Sequence, residues 1–173
     1  MTADAAPPMD SEALLGHLAA HGVHYQRRDH PAVFTCDEAD RHVQGLVGAR
    51  TKNLFLRDRK GRRHFLLVIR PEQTIDLAAL GERLGARGVG FASPQRLQRH
   101  LGVAAGAVSM LALLNDRSNA VEPIVDAALW ASDSFLCHPL INTVTLVIRR
   151  NDLQALLARS GHSVRAMTLP EAC

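Results

Sequence analysis

Two apolar runs constrain this 173-residue chain more than any other feature: Lys52 to Arg57 and His64 to Arg70, joined across Asp58-Arg59-Lys60-Gly61. Turn residues closed by a glycine between two such runs dictate an antiparallel hairpin. The flanking sequence alternates short strand and helix patterns. Asp10 or Ser11 caps a helix that carries Leu14, Leu15 and Leu18 on one face and ends at Gly22, before a strand over Val23 to Arg27. Thr35-Cys36-Asp37-Glu38 fits a capping box for a short helix through about Gln44.

After the hairpin, Asp76 caps a helix with Leu77, Leu80 and Leu84 at helical spacing, closed by Gly85. Val89 to Ala92 reads as a short strand, and Ser93-Pro94 starts a helix with Leu97 and Leu101 on its apolar stripe. Gly102 to Ser109 is a small-residue loop. Strand patterns follow at Met110 to Leu114, Ile124 to Ala128 and Asn142 to Ile148. Asn151 is placed to cap a last helix carrying Leu153, Leu156 and Leu157, with a strand over Ser163 to Leu169 behind it. No repeat or linker divides the chain, and the spacing is not that of regular βαβ units. The expectation is one domain of mixed sheet with flanking helices, residues 10–170, behind a flexible tail over 1–9.

Composition narrows the function classes. Aromatics make up only 4% of residues, so the core rests on Leu, Val, Ile and Ala, and extended base stacking on single strands is disfavoured. A net charge of +3 is compatible with a polyanionic partner without requiring one. Arg57, Arg59, Lys60, Arg62 and Arg63 are the densest basic cluster, either a solvated hairpin tip or a phosphate contact. Cys36, Cys137 and Cys173 are far apart and odd in number, which suits a reducing cytoplasm. No signal peptide pattern opens the chain, and no apolar run is long enough for a membrane span.

Familiar catalytic motifs are missing: there is no phosphate loop and no Gly-x-Ser-x-Gly elbow. Among scattered histidines, His17 and His21 alone have facing helical spacing, without a third metal ligand. His100 and His162 read as surface residues near helix ends. Ser109, Cys36 and Cys137 have no base at a recognisable spacing, so none reads as a nucleophile. Taken singly, Lys52 reads as a surface charge, the glycine loop as a connector and His138 as a structural residue beside Pro139.

Taken together they carry more. Thr51-Lys52-Asn53-Leu54-Phe55-Leu56-Arg57-Asp58 is followed in order by Gly106-Ala107-Val108-Ser109, Leu114-Asn115-Asp116 and His138-Pro139-Leu140-Ile141-Asn142-Thr143. Their order and spacing, from about Ser11 to Leu169, resemble the YbaK/prolyl-tRNA editing family. The opening at Thr51 is most similar to the free-standing branch that removes alanine from tRNA for proline.

The resemblance implies an α/β (α+β) fold, a curved mixed β-sheet packed by helices, and an aminoacyl-tRNA deacylase that hydrolyses the ester at the 3′-terminal adenosine. It implies Lys52 and His138 as catalytic pocket residues. Asn53, Gly106, Ala107, Val108, Ser109 and Met110 become substrate-binding residues, with Asn115 and Asp116 behind them. Met110 stands where the family loop carries proline. Arg57, Arg59, Lys60, Arg62 and Arg63 become RNA contacts. No metal or organic cofactor is implied. The implied partners are mischarged tRNA for proline and, optionally, prolyl-tRNA synthetase, in the cytoplasm and away from membranes. Serine or cysteine as the removed residue, and a non-catalytic tRNA- or synthetase-binding role, are the alternatives.

Overall fold

The hairpin forms where the sequence demands it. In the computed structural model, which describes residues 6–173, β2 (Lys52–Arg57) pairs antiparallel with β3 (His64–Ile69), Lys52 opposite Ile69 and Arg57 opposite His64. Gly61, at φ +64°, donates its N–H to the Asp58 carbonyl at 3.0 Å and closes the turn. All six residues of β3 are buried, because the strand lies between two neighbours with both faces covered.

The mixed α/β architecture expected from the sequence is present, and its strands fall into two hydrogen-bonded groups. β4 (Gly90–Phe91), β2, β3, β5 (Val121–Asp126) and β8 (Arg165–Met167) form a five-stranded sheet in that order. In it, β5 runs parallel to both β3 and β8. β1 (Tyr25–Asp29), β7 (Val144–Arg149) and β6 (Ser134–Cys137) form an antiparallel three-stranded sheet. A parallel bridge between Ala49 and Phe135 ties the second sheet to the chain entering β2.

Helices α1 (Ser11–Ala20), α4 (Pro94–Leu101) and α6 (Arg150–Arg159) bury Leu14, Leu18, Leu97, Leu101, Leu153, Leu156 and Leu157 in the larger core. Helix α3 (Leu77–Leu84) covers the opposite face of the five-stranded sheet, with Leu80 and Leu84 against Leu56, Phe65 and Leu67. Its caps are those read from the sequence: the Asp76 carboxylate accepts from Ala79 N–H, and Gly85 takes a left-handed conformation.

Several boundaries differ, each for a local reason. Met110 to Leu114 is not a strand but the body of a 3₁₀ helix (Met110–Asn115). Its five apolar residues are all buried, so they carry no periodicity to separate helix from strand. The first strand begins at Tyr25, because Val23 is used to close α1 through its N–H to Leu18 O. Asn151 does not cap α6. The helix follows β7 with no loop between, Arg149 is its cap residue without a side-chain bond, and Asn151 lies inside. The strand expected over Ile124 to Ala128 is β5, which ends at Asp126 because that carboxylate caps a short helix α5 (Ala127–Trp130); α5 and strand β6, four residues each, are too short to show a pattern.

The flexible tail expected over 1–9 falls outside the described residues for 1–5, and Ala6–Met9 is tied down. Met9 N–H donates to Asn115 Oδ1 at 2.7 Å, and Arg117 reaches the carbonyls of Ala6 and Pro7 at 3.0 and 3.1 Å.

Candidate active site

The two sheets part along one edge of β2, and the parting is the cleft. Ahead of β2, Ala49 N–H donates to Ser134 O and Leu136 N–H to Ala49 O, so β6 occupies this edge. Further on, Ala92 N–H donates to Phe55 O, and β4 pairs with Leu56 and Arg57. Alternate residues of a strand aim their main-chain groups at the same neighbour. Asn53, between Ala49 and Phe55 in this alternation, turns its N–H and C=O into the gap. Lys52 and Asn53 point to opposite strand faces, yet both line the cleft, because it opens through the strand edge.

The cleft has a volume of about 470 Å³. It brings together five of the residues expected there: Lys52, Asn53, Gly106, Val108 and His138. Lys52 makes no ion pair within 4 Å among the described residues. Asn53 Oδ1 is buried without a hydrogen-bond partner, and Nδ2 lies 3.5 Å from Thr51 Oγ1. Gly106, at φ +90°, has no atom within 4 Å of where a Cβ would stand, so its glycine answers to backbone conformation and not to crowding.

His138 is set as a proton acceptor. Its Nδ1 lies 3.0 Å from the Val144 carbonyl, which can only accept, so Nδ1 carries the hydrogen and Nε2 keeps its lone pair. Burial pulls the imidazole below its ordinary value and outweighs the Val144 bond, which raises it; neighbouring His30 lowers it further. The ring is therefore neutral near pH 7.

Other expected residues stand elsewhere. Ala107 and Met110 pack into the larger core, and the Ser109 hydroxyl is consumed in accepting Leu111 N–H at 3.0 Å. Met110 opens the 3₁₀ helix and Ser109 caps it, while Ala107 sits in the preceding turn, its N–H bonded to Ala104 O. Asn115 and Asp116 do not back the cleft. Asn115 holds Met9 and the Leu101 carbonyl. Asp116 Oδ2 pairs at 3.0 Å with His162 Nε2, and both side chains are at most 2% exposed. His162 is thus an interior residue, contrary to its surface reading. His100 stacks on buried His64 with ring centroids 4.1 Å apart.

The basic cluster sits at the far end of β2, roughly 17 Å from Lys52 at strand rise. Arg59, Lys60 and Arg62 are exposed. Arg63 is not free: it clasps Glu122 at 2.7 and 2.8 Å and donates to Leu84 O. Arg57 donates to the carbonyls of Asp58 and Arg59 at 3.0 and 3.4 Å.

Sequence reasoning missed the opposite wall. Val33, Phe34 and the short helix α2 (Cys36–His42), with no buried residue of its own, face the β2 edge across the cleft. Arg50 pairs with Asp40 at the mouth. Thr145, buried on β7, lines the floor, and its hydroxyl meets His30 Nε2 at 2.9 Å. The capping box pointed to α2 but not to a wall. Nothing linked His30 to a threonine 115 positions away. No group of three or more His, Cys, Asp or Glu side chains is arranged for a metal among the described residues.

A lysine, an uncharged histidine and a glycine-loop main chain thus share one cleft of a mixed α/β domain. The chain belongs to the aminoacyl-tRNA editing domain family, whose model matches residues 30–156. It is 35% identical over 158 residues to the prolyl-tRNA editing protein ProX of Acetoanaerobium sticklandii, covering 91% of this chain and 96% of that one. It is 38% identical over 137 residues to prolyl-tRNA synthetase associated domain-containing protein 1 of Danio rerio, covering 78% and 74%. A crystal structure of a protein proposed as a trans-editing enzyme for prolyl tRNA synthetase superposes with TM-score 0.71 at 21% identity, over 94% of this chain and 97% of the other. That last likeness speaks to the fold alone. No helix of the described residues is long and apolar enough to cross a membrane.

Proposed function

We propose that this chain is a free-standing hydrolase that removes mischarged alanine from tRNA for proline. The observation that carries the reading is His138: a neutral imidazole with its Nε2 lone pair free, in the same cleft as Lys52 and the Gly106 loop. The family membership and the printed names of the relatives point the same way.

The chemistry needs one water. Its oxygen attacks the ester carbonyl carbon while His138 Nε2 takes a proton, and the carbonyl–O3′ bond breaks. That proton goes to the departing ribose oxygen, and the amino acid, released as a carboxylic acid, gives the second water hydrogen to solvent and leaves as a carboxylate. Lys52 and the main-chain N–H groups of Gly106 and Val108 are the donors for the developing oxyanion, Ala107 N–H being spent on the Ala104 carbonyl. The neighbouring ribose hydroxyl of the substrate helps to place the water. No covalent step is needed. Cys137 is fully buried, its thiol pushed up to about 12 by burial, and the Ser109 hydroxyl is committed to capping.

Discrimination is by size. A synthetase pocket shaped for proline rejects the smaller alanine weakly, since missing methylenes cost only about 1–3 kcal/mol. A second pocket walled by Val33, Val108 and Leu136 admits alanine and excludes a pyrrolidine ring. Met110, the departure from the family loop, is packed in the core, which supports catalysis over a binding-only role. The exposed hairpin-tip charges suit tRNA phosphates. The setting is the cytoplasm, with prolyl-tRNA synthetase as an optional partner.

The test is deacylation of a panel of mischarged tRNAs. Hydrolysis of alanyl-tRNA for proline, with the prolyl form spared, is the expected result. Preferred hydrolysis of seryl or cysteinyl forms reassigns the substrate, and binding without hydrolysis of any form refutes the enzyme.

A further inference from the structure

The reaction above gives no task to Thr145, a buried polar side chain of the cleft. Thr145 lies in β7, on the face that carries Val147 and meets Leu136, and it lines the cleft with its side chain almost wholly buried. His138 lies on that face too, two residues beyond Leu136 at the end of β6. It is anchored to the carbonyl of Val144, the residue before Thr145.

The direction of the Thr145 hydrogen bond follows from its partner. His30 Nδ1 lies 2.8 Å from the Pro31 carbonyl, which only accepts, so Nδ1 carries the ring hydrogen. In the neutral ring Nε2 is then an acceptor, and the Thr145 hydroxyl 2.9 Å away must donate to it. Its one hydrogen is spent, and toward the cleft Thr145 Oγ1 offers only lone pairs. His30 is itself held in place. It packs edge-on to His138 at 6.4 Å and stacks on His42 at 5.7 Å, and its main-chain N–H bonds Thr143 O at 2.9 Å.

Two acceptors therefore share one cleft face, His138 Nε2 and Thr145 Oγ1, each fixed by a hydrogen bond on its far side. We infer that they hold the hydrolytic water by its two hydrogens, with Thr145 as the second contact and His30 as the residue that positions it. This rests on the hydrolase reading. A water giving both hydrogens to the wall turns its remaining lone pairs to the substrate, where the ester carbonyl stands. One hydrogen passes to His138 as the bond forms. The other stays on the attacking oxygen, hydrogen-bonded to Thr145, until the product carboxylic acid loses it to solvent.

The discriminating experiment is single-site kinetics on alanyl-tRNA for proline. Thr145→Val keeps the shape and deletes the acceptor. A lost hydrogen bond in the transition state is worth about 1.4 kcal/mol or more, tenfold in rate. The expected result is kcat down at least tenfold with KM within about twofold, and most of the rate restored by Thr145→Ser. His30→Ala should lower kcat, and in the Thr145→Val background should lower it by clearly less, because part of its effect runs through that hydroxyl and the rest through its packing against His138. Should Thr145→Val fail to fold, Thr145→Cys, of similar volume and a weak acceptor, carries the same expectation. Unchanged kcat in the folded valine or cysteine variant overturns the inference, as does a fully additive double variant. Absence of hydrolysis by the unaltered protein would instead defeat the hydrolase reading itself.

Discussion

Replacing Asp116 by alanine is expected to cost the fold dearly and the chemistry nothing. The carboxylate accepts Val121 N–H at 2.8 Å and Ala120 N–H at 3.1 Å, and pairs with His162 Nε2 at 3.0 Å. It thereby joins the start of β5 to the segment after α6. Burial pushes this carboxyl up, and the bonds from His162, Val121 and Ala120 outweigh it, holding it below the ordinary carboxylate range. Truncation strands the His162 ring and two main-chain donors in the interior. Breaking a buried pair of this kind costs about 3–5 kcal/mol. For a chain of this size each kcal/mol lowers Tm by about 2–4 °C, so the fall is roughly 6–20 °C. The sign with pH follows from the lowered value. The stabilisation is present at neutral pH and fades as acid protonates the folded carboxyl, so the gap between parent and variant narrows below about pH 4. Calorimetric melts across pH check this, beside deacylation measured well below the variant's Tm. A loss under 1 kcal/mol, or a kcat that falls in the still-folded variant, would refute the reasoning and return Asp116 to the site.

Lys52→Ala should lower single-turnover deacylation at least a hundredfold with an unchanged melt, and full activity would remove Lys52 from the chemistry. Burial, with the charges of His100 and Arg96, pulls His64 down to about 4, and its Nε2 accepts from Arg96 at 2.9 Å. Stability should therefore fall as pH drops from about 6.5 to 4. His64→Phe should flatten that part of the profile, and an unaltered slope counts against it. Replacing Arg59, Lys60 and Arg62 by alanine should weaken tRNA binding and reduce its salt dependence, with one fewer counterion released per lost phosphate contact; titrations at two salt concentrations decide. Val108→Ala should widen the cleft and raise prolyl relative to alanyl hydrolysis severalfold, and an unchanged ratio would move the sieve to another wall.

Much of this was legible in the sequence, for identifiable reasons. The hairpin and α3 could be read because each has local punctuation: Gly61 for one, Asp76 and Gly85 for the other. Lys52, the Gly106 loop and His138 could be read as a set only through the family resemblance that their order along the chain carries. What could not be read depends on long-range partners. Ser109 and Met110 look like loop residues until the 3₁₀ helix turns them inward. His162 looks exposed, and Asp116, 46 positions away, looks like a residue behind the cleft, until β5 and the end of α6 meet. The dyad of His30 and Thr145 has no linear signature. Arg63 looked like a free cation because its partner, Glu122, belongs to a strand reached only by a parallel pairing.

The gap along β2 has a consequence for solubility. An unpaired strand edge is a template for another chain, and aggregation through it needs a run of free rungs. Here β6 claims the edge up to Ala49 and β4 resumes it at Phe55, so the main chains of Thr51 and Asn53 are the two vacant rungs between. A small ligand fits such an opening, whereas an intruding strand finds two rungs and is stopped by a neighbouring strand at either end. The domain can keep a reactive opening in its sheet without inviting its own polymerisation.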